Sequence, residues 1–478
     1  MNTPTPPGAP TPLPRAVWWV LGGSLLLSLV IACAFPLLDP DEGRNAQVAA
    51  EMAASGDLVI PHLAGVPYLD KPPALFAMAA AAIRVLGPTP LAARLPAMLA
   101  LLVTLFLLAR ASVSVAAPGH AWRTTAFTAF APLCAILGAY VIFDMPLTAC
   151  VTTVWTLLAL ELERGPSRSR RALMFLAVGL GILVKGPVML AWTLGGSLAS
   201  ALLLRSRAPL RWLAWAPGWL LALGLPGVWF AAALQRHPEY LRYAFVEESF
   251  ERMTSTTFHR DQPWWFVPAV FVAGALPWSL ATPWRAPRTR ATRVATGFVL
   301  FAAVFFQLSH SKLVTYLLPA FPALAWWAAE AWLEARRSPR VLLALLAFTP
   351  LVLVAGYGPI RQQAARTSGV GLAQAIRAAG SPPYRFEDCY SPGTDYLLGR
   401  RSPVVSASGH PLTSNYVVRY RDVLRARGLW TLVDSSAAAP PARIVVRETR
   451  RAGDPPPGAR EILRDGRFTA WLLPAARP

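Results

Sequence analysis

The sequence predicts an all-α polytopic membrane protein of about 11 transmembrane helices, within a range of about 10 to 13, followed by a small α/β domain. The 478-residue chain is 55% hydrophobic, with a mean hydropathy of +0.42, which is too apolar for an ordinary soluble protein. Its apolar residues form blocks of about 17 to 25, the length that crosses a hydrocarbon core. After residue 358, short strand-like and helical stretches replace these blocks.

The apolar blocks place the transmembrane domain at residues 16–358. Residues 1–15 are rich in Thr and Pro, which is typical of a disordered segment, and we expect a cytoplasmic leader here. The first apolar block is expected to serve as an uncleaved anchor. The clearest blocks are 16–38, 124–142, 187–204, 212–234, 264–284, 296–309, 313–333 and 341–358.

The positive charge of the chain indicates its topology. A net charge of +20 would make nucleic acid a candidate partner of a soluble protein, but here the arginines lie in short gaps between apolar blocks. The positive-inside rule identifies these gaps as cytoplasmic. The charge therefore reflects membrane topology and does not indicate a nucleic-acid partner. The gaps contain Arg110, Arg123, Arg164, Arg168, Arg170, Arg171, Arg205, Arg207, Arg211, Arg285, Arg288, Arg290, Arg293, Arg336, Arg337 and Arg340.

The segments between the basic gaps are expected outside the membrane. They are 39–72, 143–146, 184–187, 235–262 and 309–313. Residues 73–87 are apolar but short and contain Arg84, and counting them as a span would invert the topology after Arg123. We therefore expect a juxtamembrane helix here, attached to the large first outer loop.

The last part of the chain, residues 359–478, is predicted to be the α/β domain outside the membrane. The four cysteines predict no intrachain disulfide framework, because only Cys389 lies in this domain. The expected strands are 402–407, 429–434, 442–447 and 468–473, and the expected helices are 370–379 and 415–427.

Lysine is rare in this sequence. Only Lys71, Lys185 and Lys312 are lysines among 45 Lys and Arg residues, and each lies where an apolar segment meets the outer face. A lysine is a compact point charge that can approach one phosphate oxygen, whereas arginine is a wide planar fork. Three ammonium groups on one face indicate a site for an anionic headgroup.

The first outer loop begins with the acidic run Asp39-Pro40-Asp41-Glu42-Gly43-Arg44. Acids so close to lipid are costly unless they face water, a cation or a cavity. The structural alternative is a solvated cap in which Arg44 restrains the acids. Isolated charges in the other outer loops favour a site, and these are Asp144, Lys185, Lys312 with Tyr316 one helical turn later, and Glu248, Arg252, His259 and Arg260 in the long loop.

The motifs in these loops resemble one family of membrane enzymes. The chain is similar to the bacterial aminoarabinose (lipid A) transferases and the related dolichyl-phosphate-mannose protein mannosyltransferases, integral membrane glycosyltransferases of the C superfamily. It departs from their pattern at Asn45, Asp70 and Ser249. The similar motifs run in family order across residues 16–333: Asp41-Glu42-Gly43-Arg44, Gly56-Asp57, Pro67-Tyr68, Lys71-Pro72-Pro73, Phe143-Asp144-Met145-Pro146, Lys185-Gly186-Pro187, Glu248 to Arg252, His259-Arg260 and Ser311-Lys312-Leu313 with Tyr316.

The resemblance implies an inverting glycosyltransferase in the bacterial inner membrane, with its active site facing the periplasm. The donor would be a sugar on undecaprenyl phosphate or another polyisoprenyl phosphate, and the acceptor lipid A or another envelope molecule. The acceptor group stays open among a phosphate, a glycan hydroxyl and a protein Ser or Thr. The alternatives are a protein O-mannosyltransferase-like activity and a transporter or flippase of a lipid-linked sugar, although transporters usually carry ionisable residues within their spans.

The resemblance also implies residue roles. Asp41 is the expected catalytic carboxylate. Asp70 and His259 match positions of a cation site, for which zinc or manganese would suit the ligands, although a lone His at a membrane surface is more often a hydrogen-bonding group. Donor phosphate binding is expected of Lys71, Arg260, Lys312 and Tyr316, with Lys185 either binding donor or ending a helix. Supporting or acceptor-contacting roles are expected of Glu42, Arg44, Tyr68, Asp144, Glu248 and Arg252.

Overall fold

The fold is that of a computed structural model, which describes residues 12–251 and 261–474, without the side chains of residues 248–251. Helices predominate in this part of the chain. Five single helices in it are long and apolar enough to cross a membrane, and a sixth candidate is a pair of helices bent by 59°. The five are Arg15–Ala34, Pro90–Val115, Asp144–Arg164, Ala216–Arg236 and Arg290–Leu308, and the bent pair is Pro339–Ala355 with Tyr357–Arg366.

Several predicted spans are divided into two shorter helices. Proline lies at or near each break, at Pro132, Pro277 and Pro319. Proline favours such breaks because it lacks the backbone N–H that continues a helix. The divided helices are His120–Ala129 with Pro132–Leu137, Phe266–Gly274 with Trp278–Ala281, and the 3₁₀ helix Val314–Ala320 with Phe321–Glu334. The remaining helices of this region are Arg168–Lys185, Val188–Leu204, the 3₁₀ helix Ala208–Ala214, Tyr240–Arg242 and the π-helix Tyr243–Glu251, with Pro339–Leu346, Phe348–Ala355 and Tyr357–Arg366 closing it.

The first outer loop is itself folded. It contains the helix Asp41–Ser55, a hairpin of β1 (His62–Leu63) and β2 (Val66–Pro67), and the helix Ala74–Leu86. Gly56 ends the first helix with φ of 73°, a left-handed conformation that glycine adopts without strain. The Nε of Arg84 donates to the carbonyl of Ala53 at 3.0 Å. Arg84 is one reason for predicting a juxtamembrane helix here. In the structure it binds the end of the neighbouring helix.

The C-terminal region contains a five-stranded sheet in the order β4-β3-β5-β7-β6. Strands β3, β4 and β5 are parallel, whereas β7 is antiparallel to β5 and β6. The bounds are β3 Tyr384–Glu387, β4 Val404–Val405, β5 Ile444–Glu448, β6 Arg460–Arg464 and β7 Phe468–Leu472. The helices are Val370–Ala378, Pro392–Leu398, Asn415–Arg419 and Arg421–Ala426, with 3₁₀ turns His410–Leu412, Ser436–Ala438 and Thr449–Arg451.

Two details of the sheet differ from the sequence prediction. The strand predicted over 429–434 is wrong in extent, since only an isolated bridge between Val433 and Val405 forms there. Strands β3 and β6 were not predicted, because their charged residues, such as Arg385 and Glu461, hide the apolar pattern. Helix 415–427 is interrupted at Tyr420.

The sheet region is joined to the first outer loop through Asp39. Its carboxylate accepts hydrogen bonds from the Ser391 hydroxyl at 2.7 Å and the Gly393 amide at 3.0 Å. Burial raises the pKa of Asp39, an effect that the hydrogen bond from Ser391 and the charge of Arg467 oppose. A Cβ at Gly43 would lie 2.7 Å from the Gly393 nitrogen, so the approach of the two segments requires glycine. The residues preceding the first outer helix are thus held by the C-terminal region.

The buried carboxyl of Asp395 is expected to make the stability of the folded protein depend on pH. Burial raises the pKa of this carboxyl to about 7, although donors on Ser402 and Tyr384 lower it. An unfolded aspartate titrates near pH 4, so between about pH 4 and about 7 the folded chain holds a proton that the unfolded chain releases. This residue's contribution to stability therefore falls as pH rises through that window. We expect Asp395→Asn to flatten this dependence in thermal unfolding at pH 5, 6.5 and 8. Parallel curves for variant and unmodified protein would contradict the account.

Candidate active site

A cavity of about 1220 Å³ opens where the first outer loop, several helix ends and the C-terminal region meet. Part of its wall is apolar, with Leu133, Leu137, Leu147, Trp192 and Phe305 among the lining residues. Many of the predicted site residues lie in the polar part of the wall, namely Asp41, Arg44, Tyr68, Asp70, Lys71, Asp144, Lys185 and Tyr316. The cavity thus combines paired charges with a surface suited to hydrocarbon.

Asp41 is the first residue of the helix Asp41–Ser55, and its side chain is 65% exposed. Arg44, one turn later, donates from Nη2 to the Asp41 carboxylate at 2.7 Å. Its Nη1 donates to the hydroxyl and carbonyl oxygens of Thr413 at 2.7 and 3.1 Å. The guanidinium also lies 6.0 Å from the centre of the Tyr68 ring. Arg44 therefore holds Asp41 toward the cavity and fixes it to the C-terminal region.

Glu42 has a different environment from Asp41. Its side chain is fully buried and receives two hydrogen bonds from Arg94, at 2.8 Å from Nε and 2.6 Å from Nη2. The amides of Val141 and Leu38 also donate to it, at 3.0 and 3.1 Å. The remaining donors of Arg94 bind the carbonyls of Ala32, Phe35 and Pro36. Glu42 does not line the cavity, so it supports the site by joining the first span to the outer loop.

Asp144, Lys185 and Tyr316 form a second polar group in the cavity. Lys185 ends the helix Arg168–Lys185 and donates to the carboxylate of Asp144, which begins the helix Asp144–Arg164. The Lys185 Nζ also lies 4.6 Å from the centre of the Tyr316 ring. Lys185 ends a helix and also lines the cavity. Both of its predicted roles, donor binding and helix termination, therefore stay open. Asp144 contacts this lysine through its carboxylate.

Lys312 and Tyr316 are not one turn apart on the same helix, which corrects the expected geometry. Lys312 precedes the 3₁₀ helix Val314–Ala320, in which Tyr316 lies, and it is Lys185 that faces the Tyr316 ring. Lys312 is 9% exposed, and its neighbours Ser311 and Leu313 line the cavity. Lys71 does line it, and its Nζ donates to the backbone carbonyl of Asp70 at 2.7 Å.

Asp70 connects three segments of the chain. One carboxylate oxygen accepts hydrogen bonds from the Tyr243 hydroxyl and from the Tyr416 amide, the latter at 3.0 Å. The other oxygen, Oδ2, is buried and has no hydrogen-bond partner among the described residues. No group of three His, Cys, Asp or Glu residues within 12–251 and 261–474 is arranged to hold a metal ion. Asp70 can therefore offer one oxygen to a cation.

Four predicted site residues lie outside what the structure describes. They are Arg252, His259 and Arg260, together with the side chain of Glu248. Their expected roles stay predictions.

The sequence reasoning missed the contribution of the C-terminal region. Thr413 and Asn415 line the cavity, and Tyr416 contacts Asp70 and also donates from its hydroxyl to Glu239 at 2.6 Å. Arg94 was missed as well, because it lies within the apolar sequence of the helix Pro90–Val115 and not in an outer loop. One signal was present in the sequence: Tyr416 and Tyr420 are four residues apart, which places both on one face of a predicted outer helix.

The fold and the cavity define a multi-pass membrane protein with a large cavity at one end of its helices, lined by charged and apolar side chains. No family model matches the sequence. The chain is similar to curated relatives named undecaprenyl phosphate-alpha-4-amino-4-deoxy-L-arabinose arabinosyl transferase. It is 32% identical to that of Pseudomonas aeruginosa (strain UCBPP-PA14) over 311 residues, covering 60% of this chain and 54% of the relative. It is 30% identical to that of Sodalis glossinidius over 304 residues, again 60% and 54%. The chain spans about half the length of these relatives.

The same fold is found in ArnT from Cupriavidus metallidurans. The structure of that protein bound to undecaprenyl phosphate matches with a TM-score of 0.79 and 22% identity, covering 96% of this chain and 98% of that one. Its apo structure matches with a TM-score of 0.75 and 21% identity, covering 95% and 97%. The chain therefore shares the fold of ArnT, and the resemblance predicted from its outer-loop motifs is confirmed by its similarity to the curated relatives.

Proposed function

We propose that this protein is an inverting glycosyltransferase that moves 4-amino-4-deoxy-arabinose from an undecaprenyl phosphate donor to lipid A. One observation carries the proposal: the Asp41 carboxylate, Lys71 and Lys185 line the same cavity as a set of apolar side chains. A polyprenyl-phosphate sugar has matching parts, an apolar chain beside an anionic phosphate. The names of the curated relatives and the ligand of the matching ArnT structure support the same donor.

Asp41 is the proposed catalytic carboxylate. With a hydroxyl acceptor it would take the proton as the oxygen attacks the sugar carbon, a contribution typically worth about 10²- to 10⁴-fold. A lipid A phosphate is already ionised, so with that acceptor Asp41 would chiefly orient the attacking group and the sugar. Its bond to Arg44 holds the carboxylate in place for either role. Attack from the side opposite the leaving phosphate would invert the configuration at the sugar carbon.

Stabilisation of the leaving phosphate falls to the cations of the cavity. Negative charge develops on the lipid phosphate as the glycosidic bond breaks, and fixed cations in a site shielded from water stabilise such charge strongly. An ammonium has three donors, so Lys185 can bind Asp144 and still offer a donor to the phosphate. Lys71, Lys312, Tyr316 and Arg260 complete the proposed donor-binding set.

The proposed topology places this chemistry at the periplasmic face of the bacterial inner membrane. We infer about 11 spans from the sequence; five single helices and one bent pair among the described residues are long and apolar enough to cross a hydrocarbon core about 30 Å thick. Each span has one end near an arginine-rich gap. The acidic run and the lysines lie at the other ends of the spans. The C-terminal region, which touches the first outer loop through Asp39, would then also be periplasmic.

A divalent cation, zinc or manganese, remains part of the proposal. Asp70 would supply the Oδ2 atom as one ligand, since that atom has no partner in the described part of the chain, and His259 would supply the second. When bound, the ion would add positive charge near the leaving phosphate. We expect chelation to lower transfer and zinc or manganese to restore it, while Asp70→Asn protein gains nothing from either metal. Full activity after exhaustive chelation would remove the cation from the proposal.

A transporter or flippase is the weaker alternative. A transporter usually binds its substrate near the membrane midplane with ionisable residues inside its spans. Here the paired charges of the cavity lie at helix ends, as with Asp144 at the start of one helix and Lys185 at the end of another. Protein O-mannosyl transfer differs from lipid A modification in its acceptor. The transfer assay described next therefore includes a peptide acceptor.

The direct test is a transfer assay with the purified full-length protein. Radiolabelled undecaprenyl-phosphate aminoarabinose is offered with lipid A, and with a Ser/Thr-rich peptide in a parallel reaction. The proposal expects label in lipid A alone. Labelled peptide would favour the O-mannosyltransferase-like alternative, and no transfer from any polyprenyl-phosphate sugar would overturn the class.

Lys185 yields a further prediction. Replacing it with Met removes a charge-assisted contact to the donor phosphate, worth about 1.5–3 kcal/mol, so the KM for the donor should rise about 10- to 100-fold. The same change leaves Asp144 buried without its partner, which is a structural effect. The double variant Asp144→Asn/Lys185→Met removes that second effect. If donor KM returns to normal in the double variant, Lys185 is structural and not a donor ligand.

A further inference from the structure

A second cavity lies at the far end of the helices that build the candidate active site. Its volume is about 230 Å³, and it is lined by Arg110, Arg164 and Arg170, two hydroxyl residues and four aliphatic ones. None of the lining residues is acidic. We refer to it as the basic cavity.

The basic cavity is about one membrane thickness from the active site. The helix Asp144–Arg164 has Asp144 in the active site and Arg164 in the basic cavity. The helix Arg168–Lys185 runs back from Arg170 to Lys185. A helix of about 20 residues is about 30 Å long, so these two helices carry charged residues at both membrane surfaces. The arginines belong to gaps that the positive-inside rule assigns to the cytoplasm.

Two arginines of the basic cavity, Arg164 and Arg170, bind backbone carbonyls and no carboxylate among the described residues. Arg164 donates to the carbonyl of Ser114 at 3.2 Å, and Arg170 donates to the carbonyl of Gly165. The Nε of Arg170 is buried without a hydrogen-bond partner among the described residues. The nearby acid Glu161 is bound to Arg171, with its shortest contact at 2.7 Å. An anion in the cavity would neutralise charge on these two guanidinium groups and could accept from the Nε of Arg170.

The surrounding helix end and cavity wall favour the same kind of ligand. The helix Arg168–Lys185 begins without an acidic residue in its first turn and without a side-chain cap from Ser167. Arginines beside the positive end of a helix dipole are unfavourable, and a bound anion relieves this. The Ser114 and Thr156 hydroxyls donate to carbonyls of their own helices, so anion binding would fall to the guanidinium groups. The aliphatic residues, among them Leu157 and Leu160, offer a surface for hydrocarbon.

We propose that the basic cavity binds the phosphate of an anionic phospholipid in the inner leaflet, at a site separate from the transfer reaction. The shared chemistry is a phosphate anion, which a free phosphate also has. The membrane-surface position and aliphatic wall select the lipid. A basic pocket between transmembrane helices on the cytoplasmic side suits such a headgroup.

The test measures lipid retention by purified full-length protein in detergent, using native mass spectrometry. Phosphatidylglycerol and phosphatidylethanolamine with the same acyl chains are compared, with inorganic phosphate as competitor. We expect phosphatidylglycerol to bind at least fivefold more tightly, and Arg164→Gln to lower its affinity about fivefold. Equal retention of the two lipids by the unmodified protein, or equally effective displacement by inorganic phosphate, would overturn the proposal.

Two further variants separate charge from packing. Arg207 is an exposed arginine of another cytoplasmic gap and does not line the cavity, so Arg207→Gln should leave phosphatidylglycerol binding unchanged. Arg164→Lys keeps the charge and should retain most of the binding. A loss with Arg207→Gln as large as with Arg164→Gln, or a loss with Arg164→Lys as large as with Arg164→Gln, would contradict a specific phosphate contact.

Discussion

Replacing Asp41 with Asn should reduce transfer by at least about 100-fold while leaving the protein folded. Asn has nearly the same shape but carries no negative charge, so it neither takes a proton from a hydroxyl acceptor nor orients a phosphate acceptor and the sugar as the carboxylate would. The Asp41 side chain is 65% exposed to the cavity and its described ion-pair partner is Arg44. Because the carboxylate is exposed, its loss should cost little stability. The measurement is transfer from a radiolabelled lipid-linked donor in membranes that contain equal amounts of each variant.

Asp422 provides a matched control for this prediction. It is 81% exposed and pairs with Arg421 at 3.0 Å, much as Asp41 pairs with Arg44 at 2.7 Å, but it lies in the C-terminal region away from the cavity lining. Asp422→Asn should retain full transfer. Undiminished transfer by folded Asp41→Asn protein would remove Asp41 from the mechanism. Equal losses of transfer in Asp41→Asn and Asp422→Asn would mean that the loss does not depend on the position of Asp41 in the cavity.

The second large effect is expected at Arg94. Replacing Arg94 with Met removes the partner of the fully buried Glu42 and leaves three carbonyls without their donor. An uncompensated buried charge of this kind typically costs about 3–5 kcal/mol. We therefore expect low yield and a strongly reduced thermal stability of the detergent-solubilised protein. The active-site carboxylate next in sequence, Asp41, should lose its position at the same time.

A double variant and a neighbouring arginine test the physical reason. Glu42→Gln keeps an oxygen that can accept from the Val141 amide but removes the charge. Combined with Arg94→Met, it should recover part of the lost stability. Arg84→Met removes an exposed arginine with a single bond to the Ala53 carbonyl, and should cost only about 0.5–1.5 kcal/mol. A double variant no more stable than Arg94→Met alone would contradict the role assigned to the buried charge.

The sequence predicted the general architecture because membrane spans and arginine-rich gaps are local signals. It also predicted that charged outer loops converge, and eight of the predicted residues do line one cavity. It did not predict where helices break, since a proline such as Pro132 divides a span without ending it. The pairing of Lys185 with Asp144, 41 residues apart in the chain, depends on how two helices pack.

The C-terminal region shows the limit of reasoning from local pattern most clearly. Thr413 and Asn415 line the cavity, and the amide of Tyr416 binds Asp70. None of the three lies in a motif, and only the tertiary fold brings them to the site. Glu42 and Asp41 are adjacent and chemically similar, yet one is buried against Arg94 and the other faces the cavity. Helix periodicity alone could not assign these roles, because the partner Arg94 lies 52 residues away.

The most direct test of the central claim is the mass of lipid A from a deletion strain and from the same strain complemented with this protein. The account predicts that complementation adds the mass of one aminoarabinose to lipid A, and that complementation with the Asp41→Asn variant adds none. Lipid A of unchanged mass in the complemented strain, with the protein present and the lipid-linked donor available, would contradict it.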